Sequence, residues 1–335
     1  MTTYRGAGVD VGAGERLIAS ISDHVQATWG PSVTGPFGSF AAGVRLPPAI
    51  ESPVLMMTTD GVGTKLDLAR SVGIIDGLGS DLVAMSVDDL AAMGASPIGF
   101  CDYLAVGQLH TERDRLLIGS IAEACRRADC PLLGGETAEH PGVLRPDQFD
   151  LVGAALGVVS EGSQVTGSAI RSGDVIIGLS SPNLRSNGFS LVRSVIEGLN
   201  LDEPLPGTTE PAAQVLCEPS VIYAPTVLKL LESVEVHGLA HITGGGLVRN
   251  LRRILPDGYR AIVDSDSWEV PRVFEAIRQL GSVTDDEMMS TFNMGVGFCI
   301  VLADKGVDEA LAALREHEPS VIGRVEPGPA SVEFA

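Results

Sequence analysis

The chain has 335 residues, of which 44% are hydrophobic, and a net charge of -20. This length exceeds one typical compact core and predicts two domains. The acidic balance disfavours nucleic acid or an anionic membrane as a partner. A small anionic substrate stays compatible, because a divalent cation and a few local cations reverse the sign inside one cleft. The alternative is that the negative charge serves only to keep the protein soluble.

The cysteines and the apolar runs point to a cytoplasmic protein. Five cysteines are present, an odd number, and no CxxC pair occurs, so neither a disulfide framework nor a zinc cluster is expected. Residues 1–4 show no basic stretch leading into an apolar core, which argues against a signal peptide. No apolar run approaches the ~20 residues that span a bilayer.

In chain order, short apolar runs alternate with amphipathic segments. The first half predicts strands at 54–59, 97–106 and 149–159 and helices at 81–93 and 111–128. A polar, glycine-rich stretch at 160–173 follows. The second half predicts strands at 174–179, 261–264 and 298–302 and helices near 189–199, 220–231, 247–254 and 271–280. This alternation predicts α/β or α+β layers, with domains at 1–168 and 169–335.

Six glycine-rich polar loops interrupt the apolar segments. They lie at 8–14, 59–65, 134–137, 185–188, 243–246 and 293–297. Glycine lets backbone amides approach a ligand closely, and loops on a rigid scaffold are where functional residues concentrate. One such loop is usually only a turn. Six loops that each contain a polar or charged residue favour a binding site.

The loop at 59–65 has the strongest chemical pattern. A predicted strand ends at the carboxylate of Asp60, backbone amides follow, and Thr64 and Lys65 close the loop. This set can hold a metal through Asp60 and a phosphate through the amides and Lys65. The GxxxxGK[ST] spacing of a Walker A loop is absent.

Further carboxylates could complete a magnesium site. Asp88 and Asp89 interrupt an apolar segment, and either both lie on the solvent edge of the helix or Asp89 points inward at a cation. Asp81 could share that face. Glu136 stands at the end of another short apolar run. Magnesium prefers a few carboxylates with phosphate oxygens and water, which Asp60, Asp89 and Glu136 could supply together.

Seven motifs in chain order resemble one family. They are Tyr4-x-x-Ala-Gly-Val-Asp10 with Gly14, the loop at 59–65, the segments at 81–85 and 134–142, Ser186-Asn-Gly-Phe-Ser-Leu-Val-Arg193, His241-Ile-Thr-Gly-Gly-Gly246 and Thr291-Phe-Asn-Met-Gly-Val-Gly297. The chain resembles the phosphoribosylformylglycinamidine cyclo-ligase family, also called aminoimidazole ribonucleotide synthetase, of the PurM superfamily.

The resemblance implies a homodimer of two-domain subunits with a PurM-like fold. The N-terminal domains, which bind ATP, would pair their sheets into a shared barrel. The C-terminal domain would be α/β, and the active site would lie between the domains. The implied reaction uses ATP and Mg²⁺ to phosphorylate the formyl oxygen of a small ribonucleotide. An amidine nitrogen then attacks that carbon, phosphate leaves and an imidazole ring closes.

The same resemblance implies roles for individual residues. Asp60, Asp89 and Glu136 would bind the metal, and Lys65, Asn187 and His241 would take part in catalysis. The nucleotide would contact Gly8, Val9, Asp10, Gly14, Gly61, Gly63, Thr64, Lys65, Gly134, Gly135 and Thr137. The substrate would contact Arg185, Ser186, Asn187, Gly188, Thr243, Gly244 and Gly245.

Three positions depart from the family pattern. The family usually has His at Arg185, Asn at Asp88 and often Lys at Gln108. Arg185 could still bind a phosphate, even bidentately, but it cannot act as an acid or base at neutral pH. These departures leave room for a paralogue acting on a different amide or amine. Two further alternatives are a small-molecule kinase of the same superfamily and a non-catalytic binding or maturation partner.

Overall fold

The computed structural model describes Thr3 and residues 5–335, apart from the side chain of Arg5, so Tyr4 of the first motif lies outside the described residues. Backbone contacts divide the chain into two units. The first contains Met1–Leu90 and Ser96–Glu161, and the second contains Ala91–Ala95 and Gly162–Ala335. The mixed α/β class expected from the sequence is confirmed. In the described part of the chain, no helix is long and apolar enough to cross a membrane.

The first unit is built on a four-stranded sheet of order β3-β6-β4-β5. Only β4 and β5 run parallel among these neighbours. The strands of the first unit as a whole are β1 (Val33–Thr34), β2 (Gly43–Val44), β3 (Pro53–Gly61), β4 (Ser96–Val106), β5 (Leu132–Glu139) and β6 (Phe149–Ser160). Its helices are α1 (Val11–Gln26), α2 (Lys65–Val72), α3 (Leu78–Ala92) and α4 (Thr111–Arg127).

The two faces of this sheet differ in their environment. On the inner face, a Cβ added to Gly153 of β6 would lie 2.3 Å from the Phe100 ring and 3.2 Å from Leu82 of α3, so this glycine allows close packing. On the outer face Leu55, Met57 and Tyr103 stay exposed, with Met57 at 76%. Because side chains alternate along a strand, the inner face forms the core and the outer face remains apolar and uncovered.

The second unit is built on a six-stranded sheet of order β12-β9-β11-β7-β10-β8, in which only β12 and β9 pair in parallel. Its strands are β7 (Val175–Ser180), β8 (Val236–His241), β9 (Tyr259–Val263), β10 (Val296–Leu302), β11 (Ser320–Pro327) and β12 (Val332–Phe334). Its helices are α5 (Phe189–Val195), α6 (Ala212–Cys217), α7 (Ala224–Leu230), α8 (Gly246–Ile254), α9 (Arg272–Gly281), α10 (Asp285–Thr291) and α11 (Val307–Ala313).

One hydrophobic core of the second unit lies between this sheet and α8. Ile176, Val301 and Ile322 of three strands pack in one buried cluster with Leu247 and Leu251 of α8. The seven residues of β10 are all buried, as expected for a central strand with both faces covered. The sheet thereby fixes the loops that follow β8 and precede β10.

Candidate functional site

Asp60 stands at the end of β3, where the chain leaves the sheet. Its Oδ1 accepts a hydrogen bond of 2.7 Å from the amide of Gly61. Gly63 adopts a φ of +71°, which turns the chain through Thr64 into α2. Thr58 lies two residues before Asp60 and therefore on the same face of the strand.

Asp89 is brought to that face by α3. Its Oδ2 lies 3.5 Å from the Thr58 hydroxyl oxygen, and its side chain is half-buried. Asp60 and Asp89 thus lie on one side of β3. Asp88, its neighbour, is fully buried. The alternative that both carboxylates lie on the solvent edge of the helix is therefore wrong.

Lys65 does not present its ammonium group to the loop surface. The side chain is fully buried, and Nζ lies 2.7 Å from Oδ2 of Asp81, which is equally buried. An ion pair enclosed in this way holds the start of α2 against α3. In this conformation the ammonium cannot contact a phosphate, so the expected direct phosphate contact of Lys65 is corrected to a positioning role.

Glu136 does not join the other two carboxylates. It lies on β5, and β3 and β5 are the opposite edges of the sheet, three strand spacings or about 14 Å apart. In the register of the sheet, Glu136 pairs with Tyr103, one position along the strands from the residues aligned with Asp60. Because side chains alternate along a strand, Glu136 points to the opposite face of the sheet from Asp60. Among the residues that the structure describes, no three His, Cys, Asp or Glu side chains are grouped to hold a metal. The predicted three-carboxylate site within one chain is wrong.

Glu139 joins two glycine-rich segments, a role that the sequence reasoning missed. Its Oε2 accepts from the amide of Asp10 at 2.8 Å, and its Oε1 accepts from the amide of Leu109 at 2.9 Å. Asp10 also caps α1 by accepting from Ala13. Nearby, Gly8 has a φ of +101° and packs so closely on Pro141 that a Cβ would lie 2.7 Å away.

These contacts place the 8–10 segment beside the 139–142 segment around a cavity of about 430 Å³. Gly8 is exposed, whereas Val9 and Asp10 are half-buried. Carboxylate hydrogen bonds to backbone amides are among the stronger hydrogen bonds in proteins. The Glu139 side chain therefore fixes the N-terminal glycine-rich segment, and the sequence signal for it was its place within the motif segment at 134–142.

A larger cavity of about 650 Å³ collects several predicted nucleotide residues. Gly14, Gly134, Gly135 and Thr137 line it, and Glu136 does so too. Apolar residues of α1 and the aromatic residues Trp29, Phe37 and Phe40 form much of the wall. This volume is in the range of small-molecule sites.

In the second unit, two of the glycine-rich loops meet beside the segment 289–292. Oδ1 of Asn187 accepts from the amide of Gly244 at 3.0 Å. A Cβ at Gly188 would lie 2.3 Å from the Phe292 ring, and one at Gly246 would lie 2.1 Å from the carbonyl oxygen of Met289. The loops at 185–188 and 243–246 and the segment 289–292 are therefore held in mutual contact.

Solvent reaches only part of this loop cluster. Gly244 is exposed, and Ser186, Asn187, Gly188, Thr243 and Gly245 are half-buried. His241, at the end of β8, is only 5% exposed and stacks on Phe298 with ring centroids 6.1 Å apart. The histidine ring thus belongs to the core beneath the loop.

Arg185 is wholly inside the second unit. Its Nη1 donates to the carbonyl oxygen of Gly297 at 3.3 Å, and the guanidinium lies 4.9 Å from the centre of the Tyr223 ring. The backbone has a φ of +58° and the side chain is fully buried. The expectation that Arg185 contacts substrate is therefore wrong in this conformation, because the side chain binds the protein core.

Two family models match most of the chain. Residues 41–159 match the N-terminal domain of AIR synthase related proteins, and residues 171–334 match their C-terminal domain. The chain belongs to the AIR synthase related family.

Relatives of this AIR synthase related chain match it over nearly its whole length. A phosphoribosylformylglycinamidine cyclo-ligase of Myxococcus xanthus is 45% identical over 333 residues, which cover 98% of this chain and 96% of the relative. One of Oceanobacillus iheyensis is 41% identical over 325 residues, which cover 96% of each.

Two solved structures share the fold of this AIR synthase related chain. A thiamine-monophosphate kinase from Stenotrophomonas maltophilia has a TM-score of 0.67 and 22% identity, covering 94% of this chain and 95% of its own. The hydrogenase maturation protein HypE in complex with ATP has a TM-score of 0.66 and 21% identity, covering 96% and 91%. At this identity the likeness establishes the PurM-like fold alone.

We expect Glu139→Gln to loosen the N-terminal segment. A glutamine offers one oxygen for the two amides of Asp10 and Leu109, and its NH₂ group cannot accept from the other. Amide hydrogen exchange should therefore be about tenfold faster at one of these two amides. The matched control is Glu123→Gln, an exposed glutamate paired with Arg126 on α4, which should leave both amides unchanged. Equal exchange in Glu139→Gln and wild type would contradict the assigned role.

Proposed function

We propose that this chain is an ATP-dependent cyclo-ligase. It would close the imidazole ring of 5-aminoimidazole ribonucleotide from formylglycinamidine ribonucleotide in purine biosynthesis. The observation that supports this most strongly is the 41–45% identity to named cyclo-ligases over nearly the whole chain. The substrates of this reaction are small molecules. This agrees with the acidic surface, which disfavours nucleic acid as a partner, and with the glycine-rich loops, which can enclose a small ligand.

The chemistry explains why a phosphoryl donor is needed. The formyl oxygen of an amide is a poor leaving group, and transfer of the terminal phosphoryl group of ATP to it produces a good one. An amidine nitrogen then attacks the formyl carbon, the C–O bond breaks, and phosphate leaves. Catalysis of phosphoryl transfer is mainly positioning and charge neutralisation, and ring closure gains from proximity.

In the first unit, the proposed phosphate-binding element is the loop between β3 and α2. Amides of Gly63 and Thr64 would face phosphate oxygens, since the Gly61 amide already donates to Asp60. The buried pair of Lys65 and Asp81 keeps the loop in place. The oxygens of Asp60 and Asp89 lie on one side of β3 and fit the oxygen-rich donor set that Mg²⁺ prefers. Bound there, Mg²⁺ would neutralise charge on the triphosphate.

The remaining predicted nucleotide residues divide between the two cavities of the first unit. Gly8, Val9 and Asp10 would cover the nucleotide from the segment that Glu139 fixes. Gly14, Gly134, Gly135 and Thr137 would surround another part of it in the 650 Å³ cavity. That cavity is mainly apolar and aromatic, which suits a heterocyclic base better than a phosphate.

In the second unit, the proposed substrate-binding element is the pair of loops at 186–188 and 243–245. Their amides and hydroxyl groups are the donor type that binds the phosphate or amide groups of a ribonucleotide. Asn187 both belongs to this surface and fixes the opposite loop through Gly244. His241 would support this loop from below, since its ring is buried against Phe298.

We expect product analysis to identify the reaction. Incubation with formylglycinamidine ribonucleotide and ATP should release ADP and phosphate in equal amounts together with an aminoimidazole ribonucleotide, measured by mass spectrometry. The gene should also restore growth of a purine-requiring strain that lacks the cyclo-ligase. A stably phosphorylated substrate would indicate a kinase instead, and absence of any ATP turnover would exclude the proposed enzyme.

We expect Asp60→Asn to lower kcat at least ~100-fold, since loss of one metal ligand or oxyanion-type contact has an effect of this size. ADP release under saturating substrate measures it. The matched control is Asp76→Asn, an exposed aspartate in the turn between α2 and α3, which should keep wild-type kcat. Full activity of Asp60→Asn would remove Asp60 from the site.

We propose a homodimer formed through the outer face of the four-stranded sheet. Leu55, Met57 and Tyr103 leave apolar surface exposed there, and surfaces of this kind mark interaction sites. Sedimentation at micromolar concentration should give a dimer for wild type and a monomer for Met57→Asp, because a charge would be buried at the interface. Leu116→Asp, an exposed position on α4, is the control and should remain dimeric. A monomeric wild type would contradict the proposal.

A further inference from the structure

Asp102 is a buried carboxyl group that the proposed reaction does not use. It lies on β4, lines the 650 Å³ cavity and is only 8% exposed. In the sheet its register partners are glycines on both sides, Gly153 on β6 and Gly135 on β5. Neither partner has a side chain that could cover the carboxyl group.

The contact with Gly135 is especially close. A Cβ built on Gly135 would lie 2.3 Å from Oδ1 of Asp102. The carboxyl group therefore occupies the space where any other residue at 135 would place its side chain. Because Gly135 also lines the cavity, this packing holds the Asp102 carboxyl group at the cavity wall.

The surroundings offer this carboxyl group no positive charge. Among the described residues that line the cavity there is no Lys, Arg or His, and the other acidic group is Glu136 on β5. Two further titratable groups near Asp102 are Cys101, its neighbour on β4, and Cys125 on α4. Such a cavity is unsuited to a triphosphate and suited to a flat, uncharged ring.

Removal from water disfavours the charged form of a carboxyl group. Burial raises the pKa of Asp102 to about 7, offset in part by a hydrogen bond from its own backbone amide. A neutral carboxyl group has one O–H donor as well as an acceptor oxygen, whereas a carboxylate can only accept. The amino edge of adenine presents an N–H donor beside a ring-nitrogen acceptor.

These observations fit one assignment. We propose that Asp102 recognises the aminopurine ring of the nucleotide as an uncharged carboxylic acid, donating to a ring nitrogen and accepting from the amino group. The inference rests on the proposed use of ATP and extends it to base recognition. Ionised Asp102 would oppose the ring-nitrogen lone pair and lose the bond.

The consequence is a pH-dependent affinity with a defined sign. Only the protonated fraction binds, so the apparent Kd rises as pH rises through about 7. At pH 8 roughly one tenth of the side chains would be protonated, which weakens binding about tenfold relative to pH 6. The Asp102→Asn variant has the same donor and acceptor pair at every pH.

The test is calorimetric binding of a non-hydrolysable ATP analogue to wild type and Asp102→Asn between pH 6 and 8.5. Because the terminal phosphate also titrates in this range, the readout is the ratio of the two Kd values at each pH. We expect similar Kd values at pH 6 and a wild-type Kd about tenfold higher than that of Asp102→Asn at pH 8. Asp150→Asn, an exposed carboxylate on β6, is the control and should follow wild type.

Other outcomes overturn the assignment. A ratio that stays constant with pH, or an Asp102→Asn variant that has lost binding at pH 6, would mean that Asp102 does not act as a neutral acid. Asp102→Leu, which has neither donor nor acceptor, should bind at least tenfold more weakly than Asp102→Asn, and equal binding would also overturn it. Binding of the ATP analogue does not require turnover. If the expected ratio of Kd values is measured but the protein does not close the ring, the proposed reaction is rejected and this inference is retained. Absence of nucleotide binding at pH 6 would reject both.

Discussion

The buried ion pair between Lys65 and Asp81 is the constraint on which the first unit depends. It ties the end of the 59–65 loop to α3, and the same helix places Asp89 beside Thr58, near the start of that loop. One helix therefore positions both ends of the loop. Removing one partner of a buried pair leaves an uncompensated charge and costs about 3–5 kcal/mol, more than a surface pair contributes.

This arrangement gives Lys65 a supporting role in place of the direct phosphate contact expected of it. The ammonium group of Lys65 is paired inside the protein. The loop amides and the two carboxylates near β3 are the groups that can contact a nucleotide and a metal. Arg185 follows the same pattern in the second unit, where its guanidinium binds the Gly297 carbonyl and the Tyr223 ring. In both units a strongly basic residue inside a glycine-rich loop supports the loop from within.

Much of the fold could be predicted from sequence because it is encoded locally. Apolar runs and their caps gave β3, β4, β6 and α4 nearly to the residue. Short or weakly patterned elements were missed, including α1, where the Gly8–Gly14 stretch suggested only a loop, and β11 and β12 at the end of the chain. Local pattern does not reveal that Asp10 caps a helix whose apolar face packs against α4 and β5.

The candidate site was predictable in its parts and not in its arrangement. The loops at 186–188 and 243–246 do meet, in agreement with the common substrate-binding role that the resemblance implied for them. Glu136 failed as a partner of Asp60 because strand order is set by long-range pairing, and β3 and β5 became opposite edges. The burial of Arg185 depends on Tyr223, 38 positions further along the chain, which local pattern does not reveal. The role of Asp102 was not predictable from sequence, because it depends on the two glycines that lie beside it on the neighbouring strands.

The two tryptophans of the chain have a practical consequence. Trp29 lies in the first unit and donates from Nε1 to the Leu132 carbonyl at 2.7 Å, whereas Trp268 lies in the second and donates to the Met294 carbonyl at 2.9 Å. Each unit thus contains one indole in a fixed polar contact. Single replacements by phenylalanine would leave an emission signal from one unit at a time, so that the melting of the two halves could be followed separately without any added label.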